Sequence, residues 1–343
     1  MTTLTITAPD DMHVHFRDDD ALAITVPATA RTFARAIVMP NLRPAVTTVK
    51  QALAYRDRIL RHVPTKSNFT PLMTLYMNPS LTVEDIKNTM GAGIIGVKLY
   101  PQGATTHAEQ GVANLSEIYP VLDAMQKIGL PLLIHGEAVG HDIDIFDRER
   151  FFIENTLMPL RQQFPALKIV LEHITTQDAV DFVKSVRDGL AATITPHHLK
   201  YNRNAMLEGG IKPHLYCMPI LKREHHREAL VAAATSGDPR FFLGTDSAPH
   251  ARLTKETTCG CAGVFSAPQA MAWYASIFET AGALDKLEGF ASHFGADFYG
   301  LPRNQGTLTL TKKMQTIPAS MTWIKGDTLV PMGAGEDIGW VAL

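Results

Sequence analysis

Asp10-Asp11-Met12-His13-Val14-His15-Phe16-Arg17-Asp18 decides how the chain is read. Two histidines separated by one residue share a face only on an extended backbone, where side chains alternate with period two. On a helix the same spacing sends them to opposite sides. Just upstream, Leu4-Thr5-Ile6-Thr7-Ala8 reads as a β-branched strand, which places the pair where that strand runs out. Side-by-side imidazoles, with an arginine two residues on, suggest a metal with an anionic ligand nearby.

Working outward, β-rich runs alternate with helix-like segments. Strands are expected over 4–8, 35–39, 69–77, 94–100, 132–136, 168–173, 191–195 and 240–246. Thr48 precedes a helical pattern as a cap, Thr82-Val83-Glu84-Asp85 opens another helix with its acidic residues in the first turn where the dipole favours them, and a further helix is expected from about Thr176 to Val186. Most of the strand segments are continuous apolar runs, as in strands buried on both faces of a parallel sheet. Eight β/α units predict a (β/α)8 TIM barrel, α/β in class, over a single domain at 1–343 with a C-terminal extension. The competing open doubly wound sheet lacks a Gly-x-Gly-x-x-Gly after its first strand. Two connections, 101–111 and 196–238, are long enough to act as lids or substrate contacts.

Composition narrows the function classes. The chain has 343 residues, 45% hydrophobic and 19% charged, with a formal net charge of -2. Near-neutral charge leaves no electrostatic footprint for nucleic acid, and no basic run points to a membrane surface. No apolar stretch approaches the ~20 residues of a membrane-spanning helix, and no signal peptide is readable. Cys217, Cys259 and Cys261 are too few for a disulfide framework, so a reducing cytoplasm is the expected compartment. Cys259-Gly260-Cys261 has no second cysteine pair and reads as ordinary loop thiols.

The polar residues at the strand ends carry the chemistry. His13 and His15 close the first strand, Lys98 the fourth, His135 the fifth, His173 the sixth and Asp246 the eighth. Barrel enzymes build their sites on that carboxyl face. Any one of these has a bland reading, as a core histidine, a snorkelling lysine or a turn aspartate; their joint placement does not. A lysine ammonium repels a metal, but carbamylation by carbon dioxide makes it an anionic oxygen donor able to bridge two. Four imidazoles, one carbamate and one aspartate form a nitrogen and oxygen set suited to zinc.

With those residues placed, the chain resembles the dihydroorotases of the short bacterial type (class II) in the amidohydrolase superfamily. The resemblance rests on His13-x-His15, Met39-Pro40-Asn41-Leu42, Gly96-Val97-Lys98-Leu99-Tyr100-Pro101 and Leu133-Ile134-His135-Gly136-Glu137. It continues through Glu172-His173-Ile174-Thr175-Thr176, His214-Leu215-Tyr216-Cys217-Met218-Pro219, Gly244-Thr245-Asp246-Ser247-Ala248-Pro249-His250 and Cys259-Gly260-Cys261-Ala262-Gly263. Met218 departs from an expected leucine, at a contact made through the backbone.

The resemblance implies reversible closure of N-carbamoyl-L-aspartate to (S)-dihydroorotate and water, a step of pyrimidine synthesis. It implies two zinc ions bridged by hydroxide and by a carbon-dioxide-derived carbamate on Lys98. His13, His15 and Asp246 would hold one zinc, and His135 and His173 the other. Asp246 would serve as base and then acid. Arg17, Asn41 and His250 would hold the substrate carboxylate, and backbone groups of Met218 and Ala262 would meet the ring amides. Thr105 and Thr106 would close over substrate, with His15 and His135 also facing it. A homodimer is implied too. The alternative is another cyclic-amide hydrolase of hydantoinase or allantoinase type; those usually carry an extra β-sandwich, for which the dozen residues before His13 are too few.

Overall fold

The barrel's first strand is not the β-branched run at 4–8. In the computed structural model, which describes residues 2–342, β1 (Thr3–Thr7) lies outside the barrel, and β2 (Asp10–Val14) is the strand that carries His13. Seven further strands follow: β3 (Arg35–Val38), β4 (Thr70–Tyr76), β5 (Ile94–Leu99), β6 (Leu132–His135), β7 (Ile169–Glu172), β8 (Leu190–Ile194) and β9 (Phe241–Leu243). They pair in parallel and in sequence order, β2 through β9. Seven of the eight expected barrel strands are therefore where the apolar runs placed them; the first is displaced by one element.

The misplaced strand has a physical reason. Thr3–Thr7 alternates polar and apolar residues, the signature of a half-exposed antiparallel strand. It pairs antiparallel with β10 (Thr307–Thr316). A short pair, β11 (Met321–Thr322) and β12 (Thr328–Leu329), precedes β13 (Asp337–Ala342), which completes a three-stranded sheet in the order β1-β10-β13. So the early residues do join a sheet with the late ones, but a small one.

Crossover helices begin where their caps predict. Thr48 and Gln51 form a capping box at Val49–Leu60, Thr82 and Asp85 another at Val83–Lys87, and Thr176 caps Gln177–Ser185. The 196–238 connection holds more structure than a loop, with helices at Pro196–Lys200, Asn204–Leu207 and Glu224–Ala234. Among the described residues, no helix is long and apolar enough to cross a membrane.

Inside the barrel, each strand contributes one side chain to an apolar floor: Met12, Ile37, Leu72, Ile95, Leu133, Val170, Ala191 and Phe242. The helix Phe294–Tyr299 plugs this floor from below, and Gly295 lets it approach: a Cβ there would sit 2.6 Å from Met12 Cε. Two residues further along a strand, the side chain points the same way. Leu133 is thus followed by His135, Val170 by Glu172 and Phe242 by Gly244. The site is the polar layer resting on this floor.

The barrel closes between β2 and the residues after β9. Asp246 N donates to His13 O (2.9 Å), and His15 N donates to Ser247 O (3.0 Å). Gly244 permits this approach, since a Cβ there would lie 2.8 Å from Thr193 Cβ and 3.1 Å from His13 Cβ. Gly244→Ala is expected to lower stability by about 1–3 kcal/mol through overpacking. Urea unfolding checks it: an unchanged midpoint would mean that the seam widens freely.

Candidate functional site

The site is built from strand ends upward. His13 is buried within β2, and His15 lies one residue beyond that strand, so both rings point inward as an extended backbone dictates. His13 Nε2 and His15 Nε2 lie 3.3 Å apart. Asp246 Oδ1 is 3.3 Å from the first and 3.2 Å from the second. Donor atoms ~2.0–2.1 Å from a tetrahedral zinc are themselves about 3.3–3.4 Å apart, so this triangle has the dimensions of one cation's coordination edge.

Three of the four rings also face an outer partner. His15 Nδ1 donates to Asn41 Oδ1 (2.9 Å), and His13 Nδ1 faces Glu172 Oε1 at 3.0 Å. His135 Nε2 donates to Glu137 Oε2 (2.8 Å), which leaves Nδ1 free. Outer partners of this kind fix the tautomer and aim of a metal-binding histidine. His135 and His173 have ring centroids 4.8 Å apart, with His13 5.0 Å from His173. His173 Nδ1 is buried without a hydrogen-bond partner. Lys98 is fully buried at the end of β5, its ammonium on Glu172 Oε2 and 4.8 Å from the Tyr100 ring.

Charge follows from this packing. Burial lowers His15 to about 4 and holds His173 well below the ordinary imidazole value, so both rings are neutral and their lone pairs available. Burial works the same way on His13, but Glu172 and Asp246 outweigh it and raise that ring to about 9. Burial alone would raise Asp246; the hydrogen bond from His13 instead keeps its carboxyl well below the usual range. Lys98 is lowered by burial, against the pull of Glu172.

Above the donors lies a small, largely enclosed cavity. It is lined by His15, Arg17, Asn41, Thr105, Thr106, His135, His173, Met218, Asp246 and Ala262, together with Tyr100, Ala248 and Gly263. His13 and Lys98 lie beneath it. His250 is outside the lining and reaches it through Arg17, whose Nη2 donates to His250 Nε2 (2.8 Å) while Nε donates to Pro249 O (3.0 Å). Burial, then Arg17, lowers His250 to about 2, which keeps that ring a neutral acceptor. Two of the guanidinium's five N–H donors are thus used, and three remain for an anion.

The 101–111 loop closes one side. Asn41 ties it down: Nδ2 donates to Thr106 O (3.1 Å), and Asn41 O accepts from His107 Nδ1 (3.1 Å). Among the described residues, six non-glycine residues have positive φ, and Arg17, His107, His173 and Asp246 are four of them. Such backbone costs of order 1–3 kcal/mol per residue, so the fold concentrates its strain at this site.

Sequence reasoning missed five contributors. Glu172 stood inside a quoted motif without a role, although period two from Val170 aims it inward. Glu137 follows His135 by two, the same signal. Tyr100 likewise follows Lys98 by two, whereas Ala248 and Gly263 reach the cavity by loop geometry alone. A second cluster, His197, His198 and Cys217, also has ligand atoms within 4.8 Å of one another. There His198 is engaged by Thr195 Oγ1 (2.7 Å) and Pro219 O (2.9 Å), and Cys217 Sγ by Pro219 O (3.2 Å). Cys259 and Cys261 are free thiols.

Comparisons with known proteins agree on the family and the fold. Residues 6–314 match the model of the amidohydrolase family. A dihydroorotase from Nitrosococcus oceani is 59% identical over 341 residues, covering 99% of both chains. A dihydroorotase structure from Campylobacter jejuni superposes with a TM-score of 0.91 at 36% identity, covering 99% of this chain and 97% of that one. A second, from Saccharomyces cerevisiae in complex with 5-fluoroorotic acid, gives 0.92 at 34% identity, covering 100% and 99%.

Asn41→Ala is expected to release the 101–111 loop by removing the side-chain tie to Thr106 and the acceptor for His15. Hydrogen exchange reads it: amide protection over that loop should fall by about tenfold, equivalent to roughly 1.4 kcal/mol. Unchanged protection would show that the loop is held by its own contacts.

Proposed function

The chain belongs to the amidohydrolase family, and from that premise we propose that it is a dihydroorotase, closing N-carbamoyl-L-aspartate to (S)-dihydroorotate with loss of water and running the reverse hydrolysis. One observation carries the reading. A largely enclosed cavity has a cluster of metal donors on its floor and an arginine with unspent donors on its wall.

The donor set fits a divalent cation. Its triangle has the right edge length, two of its imidazoles are neutral, and the lone pair of His173 is unspent. His13, His15 and Asp246 would hold one zinc ion and His135 and His173 a second, and Lys98, as a carbamate, would supply further oxygen donors. Bound there, the ions polarise a carbonyl oxygen and lower the pKa of water to about 7. Burial of Lys98 favours the neutral amine, the form that adds carbon dioxide.

The protein's own groups do the rest. Arg17 pairs with the substrate carboxylate, and backbone groups of Met218 and Ala262 meet the ring amides. Thr105 and Thr106 shut the cavity against bulk water. In hydrolysis, water attacks the ring carbonyl carbon, and the C–N bond breaks. Asp246 accepts the water's proton and delivers it to the departing ring nitrogen, acting as base and then acid. In cyclisation it takes the proton from nitrogen and returns it to the leaving oxygen. We also assign a cytoplasmic, homodimeric state, supported by the three free cysteines for the compartment and by the family likeness for the assembly; sedimentation velocity tests the latter.

Purified protein supplied with zinc should interconvert the two compounds and leave hydantoins and allantoin untouched; turnover of those instead, or of nothing, sinks the reading. Chelation should abolish activity, and zinc should restore it. Asp246→Asn is expected to lose about 10²–10⁴-fold in kcat, and near-normal turnover would remove Asp246 from proton transfer. Lys98→Ala should be inactive and partly rescued by short carboxylic acids, which replace the missing carbamate; full activity without them would dispose of the bridge.

A further inference from the structure

Lys255 has no part in the chemistry above, yet it sits behind the wall that faces substrate. It ends the short helix Arg252–Lys255 and is only 4% exposed. Its Nζ donates to three backbone carbonyls: Tyr216 O at 3.0 Å, Cys261 O at 3.0 Å and Gly263 O at 2.6 Å. An ammonium has three donors, so all are spent on main chain. Burial lowers the group only to about 8, so it is mostly charged near neutrality. The charged and titratable neighbours are Cys217, Cys261 and Arg17, and no carboxylate pairs with it.

Those carbonyls belong to two loops. One runs through Tyr216 to Met218, the other through Cys261 to Gly263, and each carries a backbone group of the cavity wall. Gly263 N donates to Tyr216 O (2.9 Å), so the loops are also joined directly. Their packing leaves no slack: a Cβ on Gly263, at φ 149°, would lie 2.3 Å from Ala248 O, and one on Gly260 would lie 2.4 Å from Lys255 O.

We infer that Lys255 is a positioning residue for substrate recognition: its ammonium gathers the 216–218 and 261–263 loops so that the backbone at Met218 and Ala262 presents its amide groups to the substrate ring. The inference rests on the dihydroorotase reading, because that reading supplies the ring amides. It separates Lys255 from the proton-transfer machinery, which stands on other strands. Losing it loosens ring binding and leaves the donor atoms in place.

The test is steady-state kinetics of the zinc-loaded full chain with dihydroorotate, beside metal content by mass spectrometry. For Lys255→Met, KM should rise about tenfold or more while kcat stays within about threefold and two metals remain bound. Lys255→Arg, which keeps charge and donors, should recover part of the KM. Should K255M not fold, K255Q keeps two N–H donors and is expected to show the same split to a smaller degree. Parental KM in K255M or K255Q, or an equal loss in kcat and kcat/KM with KM unmoved, overturns the inference while the dihydroorotase reading stands. A parent enzyme without turnover overturns both.

Discussion

Everything at the site depends on one buried carboxylate at the seam of the barrel. Asp11 accepts from Thr245 N (2.8 Å), Thr245 Oγ1 (2.6 Å) and His13 N (3.2 Å). Burial raises it to about 7, against these same hydrogen bonds. A buried carboxylate is tolerated because its lone pairs are answered by fixed N–H and O–H groups. It joins the first barrel strand to the residues after the last, and so sets His13 beside Asp246. Half of the donor set is a consequence of how the cylinder closes.

The second constraint is electrostatic. Glu172 touches Lys98 through one oxygen and faces His13 with the other. With Asp246 it is a second carboxylate beneath the cavity, and a carbamate on Lys98, as proposed, would be a third negative group. Against about four positive charges from two divalent cations, these would leave about one, which a hydroxide or a substrate carboxylate would cancel. Without cations, His13, raised to about 9, and Lys98, in contact with Glu172, face the two carboxylates.

Much of this was legible in the primary structure, and the failures have physical causes. Apolar runs located seven barrel strands because a strand covered on both faces has no polar period to confuse. The first was lost because Asp10-Asp11 opens it. Two aspartates look like a turn until Thr245, Arg35 and Asn304 are there to meet them. His13, His15, His135, His173, Lys98 and Asp246 were readable since each closes such a run or, for the first pair, its apparent neighbour. Glu172 was not, because its partners lie far along the chain, nor was Lys255, whose partners are main-chain carbonyls that no side-chain pattern announces. Asn41, expected at substrate, also proves to be a brace for His15 and the 101–111 loop.

The small antiparallel sheet has a consequence for biosynthesis. β1 emerges first from the ribosome, but its partner β10 begins 304 residues later, at Thr307 opposite Thr3–Thr7. Asp11 likewise waits 234 residues for Thr245. Helical and neighbouring β/α contacts can form during elongation, whereas these long closures carry the entropy of a nearly complete chain. The triangle of His13, His15 and Asp246 therefore cannot close before the strand that precedes Asp246 has been made. A cation that needs all three donors would meet them only after most of the cylinder has been laid down.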